Sequence, residues 1–236
     1  MVVQRPRVSS SCLRRWPIAL ALAWFATWPL SSRANHAPVD DVSMLADEIL
    51  RIHPQRGQVD FSERIRQAEA DNAHPVASRD ALVVKLAKLA AAARDNGTYL
   101  HFFQPSLGYT IAPIFAYDFD DGVFIIAADE RYRGLVGAQV LGIGGRPLSE
   151  VRAAVMPTVP ASSKGRARYQ LMRYMLVPEL LHALGVSSTR DRFSLRLRLT
   201  DGTRRTVALA GTDAIRWTSF YGRSLRKPLN EIQPIA

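Results

Sequence analysis

Cysteine is almost missing from this chain: Cys12 is its sole thiol. Disulfide frameworks, thiolate metal sites and a cysteine nucleophile are therefore excluded for everything beyond the N-terminal leader that holds it. Lysine is scarce as well, occurring only at Lys85, Lys88, Lys164 and Lys227, so a lysine general base has few places to be. His53, His74, His101 and His182 are too scattered to show the paired spacing of a metal-binding motif. No internal repeat or low-complexity tract occurs. Nor is there a long uninterrupted apolar run, because the one candidate, residues 16–30, is broken by Pro17 and Pro29 and falls short of the roughly 20 residues a membrane span needs.

What is present at the N-terminus reads as a secretory signal over residues 1–34. Arg5, Arg7, Arg14 and Arg15 precede the apolar run, and Ser32-Arg33-Ala34 supplies a small-x-small cleavage site. The alternative is a retained anchor, which the shortness of the run and its two prolines disfavour. Arg14-Arg15 also permits a twin-arginine signal, although its surroundings fit that poorly. The expected location is the periplasm or the extracellular space, with no stable membrane span after leader removal. The formal charge of +10 then falls to about +5, since the leader holds arginines and no acids.

That remainder does not ask for nucleic acid. Arg190, Arg192, Arg196, Arg198, Arg204 and Arg205 cluster in sequence, but several alternate with Leu195, Leu197 and Leu199, as on the wet face of a half-buried strand pair.

The periodicity of the mature chain changes from helical to strand-like at Tyr109, with one helical excursion after it. Val42, Leu45, Ile49 and Ile52 follow helical spacing after Asp40-Asp41, a candidate cap, and His53-Pro54 should end that helix. A second helix is expected from Asp60, with Glu63 completing a capping box and Phe61, Ile65 and Ala68 buried. A third is expected from Ser78, carrying Leu82, Leu86, Leu89 and Ala93 along one face to a left-handed end at Asn96-Gly97; this leaves Lys85 and Lys88 to solvent. From Tyr109 the pattern becomes that of strands. Phe115, Tyr117 and Phe119 alternate with smaller or polar residues, 123–127 is a compact apolar run, and 193–199 with 206–209 form a hairpin whose Asp201-Gly202 suits a two-residue primed turn. Between the strand regions, 169–184 reads as helical with a break at Pro178. The fold class is α+β, with a helical N-terminal bundle over 35–108, a sheet region over 109–212 with a helical insertion near 160–186, and a tail over 213–236.

Residues 117–148 carry the most specific signal: a strand pair turning at Asp121-Gly122, a helical turn at Glu130 to Leu135, then Gly137-Ala138-Gln139-Val140-Leu141 leading to Gly144-Gly145-Arg146-Pro147. That order resembles a PDZ-like module. With Ile52-His53-Pro54, Tyr169-Gln170-Leu171 and Pro178-Glu179-Leu180-Leu181-His182, it is similar to the front part of the tail-specific, or C-terminal processing, serine peptidases. The similarity runs from about Leu50 to Leu229. It implies a serine nucleophile and a lysine base in a catalytic domain after Pro228-Leu229, and the chain stops at Ala236, so that domain is expected to be absent. A second departure is Asp95-Asn96-Gly97-Thr98, which has no histidine where the family commonly reads Asp-Gly-His-Thr.

Other chemistries are poorly supported by the residues. Ser224-Leu225-Arg226-Lys227 fits a Ser-x-x-Lys pattern but lies in a basic tail without its partner motifs. Asp118, Asp120 and Asp121 could converge on a hard cation or simply shape a polar turn. His182 could serve as a base or pack at a helix boundary. Gly142-Ile143-Gly144-Gly145 is too short for a dinucleotide fingerprint. The resulting expectation names no catalytic residue, no metal and no cofactor. It gives a non-catalytic front portion of an exported peptidase-like protein that binds polypeptide C-termini, with Tyr109, Thr110 and Ile111 as part of the groove. Two alternatives stand beside it: a structural or regulatory protein docking on a separate peptidase domain, and a small hydrolase using Ser224 and Lys227.

Overall fold

The structure, a computed structural model, describes residues 38–104, 107–213 and 216–217. The expected leader, the Ser224 to Lys227 motif and most of the tail lie outside the described residues. The chain is α+β, a helical N-terminal region followed by an antiparallel sheet with helices. Among the described residues no helix is long and apolar enough to cross a membrane.

Helix α1 (Pro38–Ile52) packs Val42, Ala46 and Ile49 against Phe61 and Ile65 of α2 (Val59–Asn72) and Leu89 of α3 (Arg79–Ala91), a small core that Ala93 completes. α1 ends before His53-Pro54 as expected, although it starts at Pro38 rather than beside Asp40. The expected capping box of α2 does not form. Gln58 is the N-cap and lends no side-chain bond, and Asp60 falls inside the first turn, where a carboxylate still favours the helix dipole. Ser78 does cap α3, accepting from the Ala81 N–H at 3.2 Å. That helix ends at Ala91, earlier than its apolar spacing suggests, and Arg94 rather than Gly97 takes the left-handed backbone at φ 54°. The cause is Asp95, whose carboxylate accepts from the Gly97 and Thr98 N–H groups and turns the chain first.

α3 also buries two faces instead of one. Leu89 faces the small core, while Val83, Val84 and Ala87 enter the large core beneath the sheet. Lys85 is accordingly not a free surface amine. It is half-buried and donates to the Asn72 and His74 carbonyls, which closes the end of α2.

The sheet runs in the order β1 (Ile114–Phe119), β2 (Gly122–Ala128), β3 (Gln139–Ile143), β5 (Arg192–Arg198), β6 (Arg204–Ala210), all antiparallel, with the short β4 (Arg146–Pro147) paired to β3. The first hairpin turns on Asp120-Asp121, one residue earlier than expected, because Phe119 pairs with Gly122. The second uses three residues rather than two: Leu199 pairs with Thr203, and Gly202 sits at φ 82°, the geometry of a tight turn closed by a left-handed glycine. The expected helical turn is present at Glu130–Leu135, with the Asp129 carboxylate accepting from Arg131 N–H. Helix α4 (Leu148–Val155) follows β4 and was not foreseen. α5 (Lys164–Tyr174) and α6 (Pro178–Ala183) form the expected insertion, with Pro178 opening α6.

One bridge joins the two ends of this sheet order. Ile111, just ahead of β1, exchanges both backbone hydrogen bonds with Thr212, just after β6, at 3.0 and 2.8 Å.

Candidate functional site

Alternation along β1 sends Ile114, Ala116 and Asp118 inward and leaves Tyr117 and Phe119 exposed. A carboxylate on the core side of a strand needs cationic partners, and Asp118 has two. Arg152 of α4 approaches one oxygen at 2.5 Å, and Arg168 of α5 approaches the other at 2.8 Å. Arg168 also reaches Asp120 at 3.3 Å. Burial works to raise the Asp118 carboxyl, and the two guanidinium groups outweigh it, holding the group below its ordinary value of 3.8. Three elements with no sequence proximity are thus clamped at one point.

Beside this clamp a cleft of 700 Å³ opens between the β1–β2 turn and helices α4 and α5. Phe119, Met156, Ala167 and Leu171 give it an apolar floor; Asp118, Asp120 and Asp121 line it together with Arg152, Arg168 and Lys164, and with both arginines held by aspartates, Lys164 is the cation of this lining that has no carboxylate partner among the described residues. Its lining residues include no serine, threonine or cysteine. The cleft can therefore hold an apolar group beside the Lys164 amine, and among the described residues its lining offers no hydroxyl or thiol to attack a carbonyl. β1 itself is an outer strand: among the described residues its only strand partner is β2.

The three residues proposed for a groove are brought together, and each is engaged within the chain. The Tyr109 hydroxyl donates to Asp80 at 3.1 Å, and Arg190 bonds the same carboxylate while lying over the tyrosine ring. Burial and the neighbouring Asp80 push the Tyr109 hydroxyl well above its ordinary value. Thr110 gives both its N–H and its hydroxyl to the buried Glu179, at 3.1 and 2.8 Å. Ile111 is fully buried and bridged to Thr212. Residues 109–111 are a seam, and β1, whose only strand partner among the described residues is β2, begins after them.

Other expected sites resolve differently. Asp118 is committed to its arginines while Asp120 and Asp121 point to solvent, and no cluster able to hold a metal ion occurs among the described residues. His182 is exposed, with Nδ1 3.1 Å from the Ser187 carbonyl. His53 is buried and stacked on Phe61 at 4.3 Å; its Nδ1 accepts the Gln55 N–H, and its Nε2 meets Asp95 at 2.5 Å. Two motif fragments, Ile52-His53-Pro54 and Asp95-Asn96-Gly97-Thr98, are therefore one clip. Asn96 extends it to Ser162 at 2.9 Å, tying the helical region to the residue just before the Ser163 cap of α5. Burial works to raise Asp95, and hydrogen bonds from His53, Thr98 and Gly97 hold it below its ordinary value.

The Asp118 clamp was missed from sequence, yet a signal existed. If Tyr117 and Phe119 share one face, Asp118 must share the other with Ala116, and an inward carboxylate calls for arginines.

No family model matches the chain, and no curated protein matches it. Solved structures do. The fold is similar to that of a CPAF mutant, with a TM-score of 0.51 and 17% identity over 74% of this chain and 33% of that one. Mature CPAF gives 0.49 and 16% over 81% and 38%, and mature CPAF complexed with lactacystin gives 0.48 and 17% over 83% and 39%. The chain spans about a third of the length of the CPAF mutant it matches, and what the two share, at that identity, is a fold.

Proposed function

We propose that this chain is the non-catalytic, polypeptide-binding front portion of an exported protein of the tail-specific peptidase type. The observation that carries the reading is an outer strand, β1, running beside a cleft with an apolar floor and the exposed Lys164 in its lining. A guest strand adds to such an edge through its backbone, and a terminal carboxylate needs donors at the end of the groove. Lys164, exposed at the start of α5, supplies one such donor. The fold likeness to CPAF, a serine protease of the tail-specific kind, supports the peptidase-like context. The order of strand, helical turn, Gly137 to Leu141 and Gly144-Gly145 supports the PDZ-like one. In this reading Tyr109, Thr110 and Ile111 fix where β1 begins and so where the guest strand starts. Export follows from the leader, and a separate peptidase domain is the alternative partner.

The test is titration of the purified mature chain with peptides ending in apolar residues, as free acids and as C-terminal amides. Binding that requires the free carboxylate and weakens in Lys164→Ala supports the reading. Equal binding of acid and amide removes the carboxylate from it. Incubation with unfolded protein alongside a Ser224→Ala control is the second arm. Cleavage that vanishes in the control would instead establish the Ser224 and Lys227 hydrolase.

A further inference from the structure

The sheet has a second face, which the cleft touches at Phe119 and Gly122. In register, Tyr117 lies opposite Phe124, Phe124 opposite Gln139, Gln139 opposite Arg198, and Arg198 opposite Arg204. One row of side chains thus crosses five strands, about 19 Å at roughly 4.8 Å per strand. Its inward neighbours Val123, Val140 and Leu197 are buried, so this row stands on the outer side. Tyr117 and Phe119 are 46% and 44% exposed, and Ile126 is 42% exposed. At the other end Arg196, Arg198 and Arg204 are exposed, and no carboxylate among the described residues pairs with them. Arg196 lies across Gly142, its opposite on β3, where a Cβ would run into the Arg146 carbonyl and come within 3.1 Å of the Arg196 guanidinium. The strands present neither a lysine nor an acid on this face.

We propose that this outer face docks an acidic protein partner whose carboxylates sit beside an apolar contact. Three unpaired arginines in adjacent strands repel one another until anionic groups arrive, which makes an acidic surface the complementary one. Aromatic residues and arginine without lysine match the composition of the energetic centre of protein interfaces. Single-stranded nucleic acid fits less well, since its bases need open ring faces. Here Tyr117 and Phe119 pack on each other at 4.6 Å with a 57° tilt, and Phe119 meets Phe124 edge-on at 5.9 Å, so the rings already cover one another.

The experiment uses four probes with the mature chain: a peptide of alternating glutamate and leucine, its lysine and leucine counterpart, an oligothymidylate, and phosphatidylglycerol vesicles. The acidic peptide is expected to bind, and the basic one not. Affinity for the acidic peptide is expected to fall about tenfold or more in the Arg198→Glu, Arg204→Glu double variant and again in Tyr117→Ser. Circular dichroism and melting confirm that these surface variants fold. Should charge reversal unfold the chain, Arg198→Gln with Arg204→Gln replaces it and is expected to show a smaller loss in the same direction. Tighter binding of the oligonucleotide or the vesicles, lost in the same variants, would overturn the protein assignment. Loss of acidic-peptide binding in Lys164→Ala, with the arginine variants unaffected, would place the peptide in the cleft and overturn the face. So would failure of the acidic peptide to bind. Carboxylate-dependent binding in the cleft is read separately, so the two proposals can fail independently.

Discussion

Replacing Asp118 with asparagine removes one charge and keeps the size of the side chain, which makes it a clean probe of the clamp. The Asp118 side chain is 8% exposed, while Arg152 and Arg168 remain 31% and 43% exposed. A fully buried ion pair broken on one side costs about 3–5 kcal/mol, and exposed pairs are worth about 0–1 kcal/mol. A buried acceptor with two solvent-screened donors falls between, so the expected loss at neutral pH is about 1–3 kcal/mol. For a domain of this size that corresponds to a melting shift of about 2–10 °C. The sign of the pH dependence follows from the depressed carboxyl. Its folded value lies below the ordinary 3.8, so the unfolded chain binds more protons in between and stability rises with pH across that window. The contribution is complete above about pH 5, falls as the pH drops below the ordinary carboxylate value, and is gone below the folded one. Urea denaturation at pH 7 and near pH 2.5 measures it, with wild type and variant converging in acid. A difference that is the same at both pH values would refute the ionic account, and an unchanged midpoint at pH 7 would refute the clamp.

Gly144 and Gly145 both adopt left-handed backbone, at φ 61° and 83°, but a Cβ on Gly144 would run into the Val186 carbonyl whereas one on Gly145 meets nothing. Gly145→Ala should therefore cost about 1–2 kcal/mol from backbone strain alone, and Gly144→Ala clearly more; equal denaturation midpoints would mean that the contact with Val186 yields freely. Glu179→Ala strips acceptors from the Thr110 N–H and hydroxyl and should cost about 1–3 kcal/mol, with faster amide exchange at Thr110 as the specific readout. The leader should be removed near Ala34 in an export-competent host, and intact mass of the recovered protein decides it, since full-length chain held in membranes would contradict cleavage.

Where apolar periodicity was long, the elements were legible. The α1 stop at His53-Pro54, the Ser78 cap, the Glu130–Leu135 turn and the break at Pro178 are all local decisions made by a few side chains. The errors share another cause. The α3 end depends on the Asp95 carboxylate competing for backbone donors, and the second hairpin accepted a third loop residue because Asp201 bonds Thr203; side-chain bonds of this kind reset ends that propensity alone places elsewhere. The clearest lesson is β1. Its alternation was plain, but period two does not say which face is buried: after the register shift at Phe115/Ala116, Tyr117 and Phe119 are exposed while Phe115 stays in the core. Asp118 therefore looked like a turn residue, and the cleft behind it had no sequence signature, because Arg152 and Arg168 come from helices whose packing on β1 is a long-range event.

The seam at 109–112 explains how distant parts of the chain set the position of one strand. Tyr109 is held by Asp80 of α3 and by Arg190, Thr110 by Glu179 of α6, Ile111 by Thr212 and the Ala112 N–H by the Leu176 carbonyl. Each anchor is modest alone, near 1 kcal/mol for a hydrogen bond, but they restrain consecutive residues, so loosening one shifts load onto its neighbours. α3 makes the coupling stronger, because its Val83, Val84 and Ala87 lie in the core beneath the sheet while its Leu89 lies in the core of the helical region. Unfolding the first helices would expose one side of α3 and weaken the element that carries Asp80. The start of β1 is thus not a property of the sheet alone. The helical region, the insertion and the segment after the last strand all hold it in place.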